Sequence, residues 1–386
     1  MQRVLGNVCR GPDALNHPNS HRNPEALQVK AKDSIIGPDD QILITGATGF
    51  VGTRVLARLL DKGFRRVRCM ARPCSDLKKI ETLAGRYNHS AKIEVIRGNL
   101  LHLSDCANAT EDAAVIYHLA VGAGGRSFPD AFMNAVVTTR NLLEASVRHR
   151  CVKRFVNVSS FAVYANCNKP RGRLLDESCP IEQHPALRDA YCYAKVKQDR
   201  LVMDYGRIHG LPYVIVRPGV VYGPGKDAIN GRVGLGTFGL FLHLGGSNPI
   251  PFTYVDNCAD AVVLAGVKEG VDGEVFNIVD DDLPSSRTFL RLYKQHVRQF
   301  RSVYLPRPTS YLMCALWEGI SSWSQGQLPP FLTRRQWHAY WKGAKYSNEK
   351  LKDVLGWAPN VSTRDGLARF FRSCLNEEGK CLKSRS

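Results

Sequence analysis

The segment Gln41–Gly52, with the sequence QILITGATGFVG, restricts the fold more than any other part of the chain. Ile42–Ile44 is a short apolar run of the kind that forms a buried parallel strand. After the glycines, Phe50–Lys62 carries its apolar residues on one helical face. A glycine turn between a strand and a helix allows close backbone approach, and the helix start offers N–H groups with a favourable dipole. The segment therefore predicts a site for the diphosphate of a dinucleotide.

Further strand patterns alternate with helical patterns along the chain. This alternation predicts an α/β fold, a Rossmann-type doubly wound parallel sheet with a smaller C-terminal substrate-binding lobe. The predicted strands after the first are Arg66–Ala71, Lys92–Arg97, Ala113–Ala120, Arg154–Val158, Pro212–Arg217 and Gly273–Ile278, and the two clearest later helices are Asp130–Arg148 and Asp189–Tyr205.

The organisation into domains follows from the same pattern. The N-terminal segment mixes Asn, Pro, His and charged residues without periodicity, which indicates disorder, and the C-terminal end resembles a solvated terminus. The predicted division is a disordered leader at 1–40, an NAD(P)-binding Rossmann domain at 41–225 plus 252–285, a substrate-binding lobe at 226–251 plus 286–374, and a tail at 375–386.

Composition excludes some classes of function. The net charge is +18, but the basic residues are scattered and no nucleic-acid motif accompanies them, so a basic surface without a nucleic-acid partner is expected. The twelve cysteines form no CxxC pair and no Cys/His cluster, so no metal site is predicted. Without an apolar signal segment, a cytoplasmic location is expected. The apolar segment Tyr311–Trp323 is too short to cross a bilayer. We expect it to be a core helix, with peripheral membrane contact as the alternative.

Two features point to a cofactor and to acid–base chemistry. Arg72 follows the second strand, where an acidic residue would bind the ribose hydroxyls and an arginine can pair with a 2′-phosphate. NADP is therefore favoured over NAD. Within Asp189–Tyr205, a tyrosine and a lysine four residues apart share a helical face. Two such pairs occur, Tyr191/Lys195 and Tyr193/Lys197, and spacing alone does not choose between them.

The motifs and their order resemble one family, the extended short-chain dehydrogenases/reductases of the NAD(P)-dependent epimerase/dehydratase group. The resemblance extends from about Gln41 to Phe371. The motifs that carry it are TGATGFVG at 45–52, YHLA at 117–120, NLLEA at 141–145, VSSFAVY at 158–164, YCYAK at 191–195, RPGVVYGPG at 217–225, YVDNCADA at 254–261, GEVFNI at 273–278 and LGWAPNVSTRDGL at 355–367.

The resemblance implies the site residues. It selects Tyr191 as the general acid/base, Lys195 as the cation that favours its phenolate and binds the nicotinamide ribose, and Ser160 as the group that positions the reacting oxygen. It also suggests a homodimer through the helices that carry NLLEA and YCYAK. The residues expected to bind the cofactor are Gly46, Thr48, Gly49, Phe50, Val51, Arg72, Asn99, Leu100, Leu119, Ala120, Tyr191, Lys195, Pro218 and Val221.

Departures from the family pattern restrict the reactions expected of this chain. Ala135 stands where many members have an asparagine, and Asn99 where many have an aspartate. Phe161-Ala162 replaces the Asp-Glu pair of sugar-nucleotide dehydratases, so dehydration is disfavoured. Val220 and the segment 249–252 lack the Asn and Arg that grip a sugar-nucleotide diphosphate. We therefore expect an enzyme that interconverts a secondary alcohol and a ketone, in the 3β-hydroxysteroid-dehydrogenase-like or dihydroflavonol-reductase-like branch. The alternatives are a nucleotide-sugar epimerase and a non-catalytic NADP-binding sensor.

Overall fold

The computed structural model describes residues 34–120, 127–166, 170–226, 229–237, 239–325, 327–328 and 332–383. The strands are β1 Gln41–Thr45, β2 Arg66–Ala71, β3 Lys92–Arg97, β4 Ala113–His118, β5 Arg154–Val158, β6 Leu174–Leu175, β7 Tyr213–Pro218, β8 Val220–Tyr222, β9 Gly234–Thr237, β10 Leu240–His243, β11 Phe252–Tyr254, β12 Val275–Ile278, β13 Ser302–Tyr304 and β14 Lys345–Tyr346.

The helices alternate with the strands through most of the chain. They are α1 Gly52–Asp61, α2 Lys78–Tyr87, α3 Leu103–Thr110, α4 Phe128–Ala131, α5 Thr138–His149, α6 Ala190–His209, α7 Val255–Val267, α8 Ser286–His296, α9 Arg307–Trp323, α10 Arg334–Tyr340, α11 Glu349–Leu355 and α12 Thr363–Lys383. None of the helices in the described ranges is long and apolar enough to cross a membrane.

A seven-stranded sheet forms the centre of the molecule. Its order is β12-β7-β5-β4-β1-β2-β3, and every pair in it is parallel. The strand order reverses between β1 and β4, and ligands of open α/β sheets bind outside the carboxyl ends of the strands at such a point. The predicted α/β class and doubly wound parallel sheet are confirmed.

The glycine turn is held by close packing against β4. Gly46 has φ +77°, and a Cβ there would lie 2.8 Å from the Ala120 nitrogen. Gly52 has no unusual φ, but a Cβ at that position would lie 2.1 Å from the Gly46 carbonyl oxygen. Gly46 therefore supplies the left-handed backbone, and Gly52 lets the first turn of α1 rest directly on the loop.

The segments predicted to form the substrate lobe are divided between two regions. The small sheet β9-β10-β13 and the helices α9 and α10 enclose a separate apolar cluster that includes Leu244, Trp337 and Trp341. Leu351 of α11 and Trp357 instead pack into the core of the large sheet. Also, α12 extends to Lys383, so helix replaces most of the expected tail.

We predict that Gly52→Ala destabilises the protein and weakens dinucleotide binding, because its methyl group displaces the Gly46 carbonyl. The expected loss is about 2 kcal/mol in the free energy of unfolding, measured by chemical denaturation. Gly85→Ala is the matched control, since Gly85 lies in α2 with nothing within 4 Å of an added Cβ. It should stabilise the protein by about 0.5–1 kcal/mol. Similar losses in the two variants would contradict the packing argument.

Candidate active site

Ser160 and Tyr191 meet at the carboxyl edge of the large sheet. Ser160 comes two residues after β5 and caps a short 3₁₀ turn, with its Oγ accepting from the Ala162 N–H at 3.2 Å. Tyr191 lies in the first turn of α6, which begins where the Asp189 carboxylate accepts from the Cys192 N–H at 2.7 Å. The Ser160 hydroxyl lies close enough to the Tyr191 phenol to influence its pKa.

The charge state of Tyr191 depends on its surroundings. Burial of the phenol raises its pKa above the ordinary value of about 10, and the neighbouring Ser160 hydroxyl opposes this rise. The residue as a whole is 41% exposed, so solvent limits the rise. A neutral phenol beside a hydrogen-bonding serine is suited to give a proton to a substrate oxygen, and a nearby cation is needed before it can accept one.

Lys195, one turn further along α6, carries a buried ammonium at the end of β5. Its ammonium donates to the Val158 carbonyl at 2.7 Å and to Oε1 of Gln198 at 2.8 Å, and the residue is 1% exposed. Burial lowers the pKa of Lys195 to about 8, against the opposing attraction of Asp199. An ammonium has three donors, so these two bonds leave one N–H for a ribose hydroxyl.

A chain of hydrogen bonds continues from Gln198 into the protein interior. Its Nε2 donates to the Thr139 hydroxyl at 2.8 Å, and that hydroxyl also contacts Nε2 of His118 at 2.8 Å. On the other side of the ring, Nδ1 of His118 lies 2.8 Å from the Thr45 hydroxyl. Thr45 is the last residue of β1 and precedes the glycine turn directly.

The donors and acceptors of this chain can be assigned. Burial lowers the pKa of His118 to about 3, so the ring is neutral and carries one proton. Thr139 donates its hydroxyl proton to the Ala135 carbonyl at 2.5 Å, so it can only accept from the histidine. His118 therefore has its proton on Nε2, and its Nδ1 accepts from Thr45. Each polar atom named in this series therefore has a hydrogen-bond partner.

The helix before NLLEA departs from the prediction. The expected helix Asp130–Arg148 is divided into α4, a π-helical turn at Phe132–Val137 and α5. Ala135 lies in the π turn and packs with Ala190 and Ala194 of α6. Ala135 is buried, so the position where many family members have an asparagine carries only a methyl group, and Thr139 and Gln198 hold the polar contacts nearby.

A buried ion pair supports α6 one residue further on. Asp199 accepts from Nε and Nη2 of Arg217, both at 3.1 Å, and from the Asn157 amide at 3.0 Å. The Arg217 guanidinium also lies over the Tyr164 ring at 4.9 Å. Burial raises the pKa of Asp199, and Arg217 opposes this rise. The pair joins α6 to β7 about one helical turn after Lys195.

The alternative tyrosine–lysine pair lies elsewhere. Tyr193 packs edge-on against Phe128, and the Lys197 ammonium lies 6.0 Å from the Tyr193 ring centre. Cys192, between the two tyrosines, is fully buried, and burial raises the pKa of its thiol to about 12. A thiol with that pKa is not a nucleophile near neutral pH.

The residues expected to bind the dinucleotide line the same edge. Arg72 is exposed just after β2, and Arg97 at the end of β3 reaches the same loop, donating to the Pro73 carbonyl at 2.5 Å. Arg97 was missed by the sequence analysis, although a second basic residue at a neighbouring strand end is a readable signal. The Asn99 side-chain oxygen accepts from the Leu101 N–H at 3.1 Å, leaving its amide N–H groups for adenine.

The remaining members of that set follow the strand ends. Leu119 donates its N–H to the Thr45 carbonyl at 3.1 Å, which brings the end of β4 beside the glycine turn. Residues 121–126, which follow β4, lie outside the described residues. The other predicted cofactor residues at this edge are Gly46, Thr48, Gly49, Phe50 and Val51 in the turn, Leu100 after β3, Ala120 after β4, and Pro218 and Val221 at β7 and β8.

Tyr340 is a site residue that the sequence did not reveal. It comes from α10, far along the chain, yet it lies near Tyr191, and a negative charge on its phenol would raise the pKa of Tyr191. The guanidinium carbons of Arg188 and Arg232 lie 5.7 and 5.4 Å from the centre of its ring. No local motif marks Tyr340, because only the packing of α10 brings it to the cleft.

A narrow, mostly apolar cavity adjoins the cofactor edge. Its wall includes Val220 and Val221, and the Lys226 ammonium lies 5.6 Å from the Phe50 ring and donates to the Val221 carbonyl at 3.1 Å. Ile250 belongs to the segment 249–252, which lacks the arginine of the family's sugar-nucleotide enzymes, and it is fully buried in the adjacent core. The lining side chains are Val220, Val221, Tyr222, Lys226, Asn230, Phe252, Phe289 and Phe370.

The fold and the edge of convergent residues define a nucleotide-dependent enzyme of the Rossmann type. The model of the NAD dependent epimerase/dehydratase family matches residues 42–279, and the chain belongs to this family. Its members are extended short-chain dehydrogenase/reductase enzymes, so the resemblance drawn from the motifs and the expectation of an enzyme are confirmed, which sets aside the non-catalytic sensor.

The individual relatives compared with the chain are less than 30% identical to it. The chain is 29% identical over 263 residues to a trifunctional UDP-glucose 4,6-dehydratase/UDP-4-keto-6-deoxy-D-glucose 3,5-epimerase/UDP-4-keto-L-rhamnose-reductase of Arabidopsis thaliana, which covers 61% of this chain and only 36% of the plant protein. It is 24% identical to the UDP-N-acetyl-alpha-D-glucosaminuronate decarboxylase of Bacillus cytotoxicus, over 87% of this chain and 98% of that one.

A solved structure shares the fold over most of the chain. It is a UDP-glucuronic acid 4-epimerase from Bacillus cereus in complex with UDP-glucuronic acid and NAD, with a TM-score of 0.65 and 22% identity, covering 88% of this chain and 99% of that one. At this identity the likeness shows the fold alone.

We predict that Gln198→Met lowers the pKa of Lys195 below about 8, because the ammonium loses a hydrogen-bond acceptor that favours its charged form. Gln198→Glu should raise it, since a carboxylate replaces the amide. Lysines labelled with ¹³C at Cε and titrated by NMR report this pKa, with Lys195→Arg assigning the signal. The exposed Lys197 provides the control. An unchanged Lys195 titration in both variants would show that Gln198 does not act on the ammonium.

Proposed function

We propose that this enzyme interconverts a secondary alcohol and a ketone by NAD(P)-dependent hydride transfer. Two observations support the proposal: Ser160 lies near Tyr191 at the carboxyl edge of the sheet, and the Lys195 ammonium binds the carbonyl of Val158, the last residue of β5. When bound, the nicotinamide exchanges a hydride with the substrate carbon. The residues of the chain then have to bind the substrate oxygen and to move one proton.

Each residue has a distinct part in that task. In the reductive direction Tyr191 gives its phenolic proton to the oxygen that forms the alcohol, and in the oxidative direction its phenolate takes that proton back. The Lys195 ammonium stabilises the phenolate through its positive charge, and its remaining N–H binds the nicotinamide ribose. The Ser160 hydroxyl hydrogen-bonds the reacting oxygen and holds it within reach of Tyr191.

The residues around Val220 and the adjoining cavity favour a substrate that is less polar than a sugar diphosphate. Val220 and the segment 249–252 lie where the family's sugar-nucleotide enzymes carry an asparagine and an arginine, and both lack these residues. The cavity beside them is lined mainly by aromatic and aliphatic side chains. Apolar lining with a few polar groups is usual for small-molecule sites, so we favour a ketone or alcohol with an apolar body.

A nucleotide-sugar epimerase is the second candidate, and the relatives favour it. The UDP-N-acetyl-alpha-D-glucosaminuronate decarboxylase and the UDP-glucuronic acid 4-epimerase named above both match nearly the whole chain. An epimerase of this kind oxidises its substrate and then reduces it again, so the same three side chains serve both reactions. In this candidate Lys226 and Arg232 provide cationic groups near the cleft for an anionic substrate.

We predict that Tyr191→Phe lowers kcat by about 100- to 10,000-fold, since the proposed proton donor is removed. Tyr193→Phe is the matched control, as it makes the same change on the same helix away from Ser160. Dinucleotide affinity, measured by fluorescence titration, should be nearly unchanged in both. Activity is measured as NADPH-dependent reduction of a panel of ketones and as epimerisation of UDP-glucuronic acid.

The same assays separate the two candidates. A reductase consumes one NADPH for each ketone and exchanges its cofactor freely. An epimerase retains NAD through purification and forms its product without net cofactor consumption. Near-normal turnover of Tyr191→Phe by either assay would reject the proposed site.

The NADP preference is a separate proposal that depends on Arg72. We predict that Arg72→Ala raises the Kd of NADPH by about tenfold or more, because a charge-assisted bond to the 2′-phosphate is lost. The Kd of NADH should change little. Arg86→Ala, an exposed arginine on α2, is the control. Equal weakening of NADH and NADPH in Arg72→Ala would reject the assignment.

Two expectations stay predictions. The homodimer would use α5 and α6, which carry the NLLEA and YCYAK motifs. The cytoplasmic location likewise depends only on the sequence argument.

A further inference from the structure

Helix α9 has its apolar side chains on the outside. Residues Ser310, Cys314 and Ser321 are its buried positions, and the Ser310 hydroxyl accepts from Nε1 of Trp337 at 2.9 Å. The expected core helix is therefore only partly realised, since Tyr311 and Trp317 reach the adjacent cluster while the larger part of the apolar surface faces away from the protein.

The exposed side chains form one continuous row. Leu312, Leu316, Ile320 and Trp323 are spaced by four, four and three residues, which places them on one helical face. Leu316 is 60% exposed and Trp323 is 85% exposed. A soluble surface helix normally has the opposite arrangement. Contiguous exposed apolar surface of this kind marks an interaction site.

A row of basic residues accompanies this apolar row. Arg287, Arg291 and Lys294 lie on one face of α8 and line an open groove together with His243. The Arg287 guanidinium lies 5.3 Å from the ring centre of Tyr304, which ends β13 and precedes α9 by only two residues. The half-exposed Val303 and Tyr304 thus connect the basic groove to the start of α9.

The region that includes α8 and α9 is strongly positive. Residues 286–345 contain ten lysines and arginines and a single acidic residue, Glu318. That acid is paired with Arg334 at 2.8 Å. A second copy of this chain would bring the same positive charge to the contact, whereas an anionic lipid surface is complementary to it. An apolar helical face with leucines and a tryptophan, beside basic side chains, is typical of helices that lie in a membrane interface.

We propose that α9, together with the basic row of α8, binds this protein peripherally to an anionic lipid surface. Leu312, Leu316, Ile320 and Trp323 enter the boundary between headgroups and acyl chains, and Arg287, Arg291 and Lys294 bind headgroup phosphates. The inference is independent of the reaction, since none of these residues belongs to the candidate active site.

The test is sedimentation of the full chain with vesicles. Wild-type protein should pellet with vesicles of phosphatidylglycerol and phosphatidylcholine, bind pure phosphatidylcholine far less, and be released by high salt. The double variant Leu316→Gln/Ile320→Gln should lower the partition coefficient at least about tenfold. Arg287→Gln/Arg291→Gln should also lower it and weaken the salt dependence. All variants should keep the thermal midpoint of the wild type.

Ile208→Gln is the matched control, because Ile208 is 63% exposed but stands on α6 outside this region. It should bind vesicles like the wild type. Wild-type protein that stays in the supernatant with anionic vesicles would overturn the proposal, as would unchanged binding of the α9 double variant. If light scattering instead shows that the double variant converts a dimer to a monomer, and vesicle binding is absent, the row is a contact between copies of this chain and the proposal fails.

Discussion

The buried Lys195 ammonium is the interaction on which the candidate site depends. A charge without water around it is costly unless hydrogen bonds and an opposite charge offset the loss of solvation. Here the Val158 carbonyl and the side-chain oxygen of Gln198 each accept a hydrogen bond from the ammonium. Asp199, the residue after Gln198, supplies the opposite charge. A lysine with its pKa near 8 in this position remains mostly charged at neutral pH, which is the state that favours a Tyr191 phenolate.

The same lysine couples the two halves of the site. Through Gln198, Thr139 and His118, the hydrogen bonds lead to Thr45, the residue before the glycine turn. The neutral ring of His118 can accept on one side and donate on the other, so it connects β1 to α5 without introducing another charge. The glycine turn and the helix that carries Tyr191 are thereby joined in one rigid arrangement of hydrogen bonds. A rigid arrangement of this kind is what proton transfer over short distances needs.

Much of the fold could be predicted from the sequence. The predicted strands of the large sheet agree with the structure to within two residues at each end, because buried parallel strands are short apolar runs bounded by turn residues. Gly46 and Gly52 were recognisable because their roles are local. The family pattern also selected Tyr191 over Tyr193, and the structure brings Tyr191, and not Tyr193, to Ser160.

Contacts between distant segments could not be predicted in the same way. Gln198 shares a face of α6 with Lys195, but it contacts Thr139 because α6 packs on the π turn through Ala190 and Ala194. Tyr340 reaches the cleft through the packing of α10. Helix α9 shows the limit most clearly. Its sequence reveals that one face is apolar, yet periodicity cannot say which face the rest of the protein covers. Trp337 binds the serine side of α9, so the leucine side is left outside. A feature that predicts a core helix from the sequence becomes, in the folded molecule, the strongest indication of a surface that binds something else.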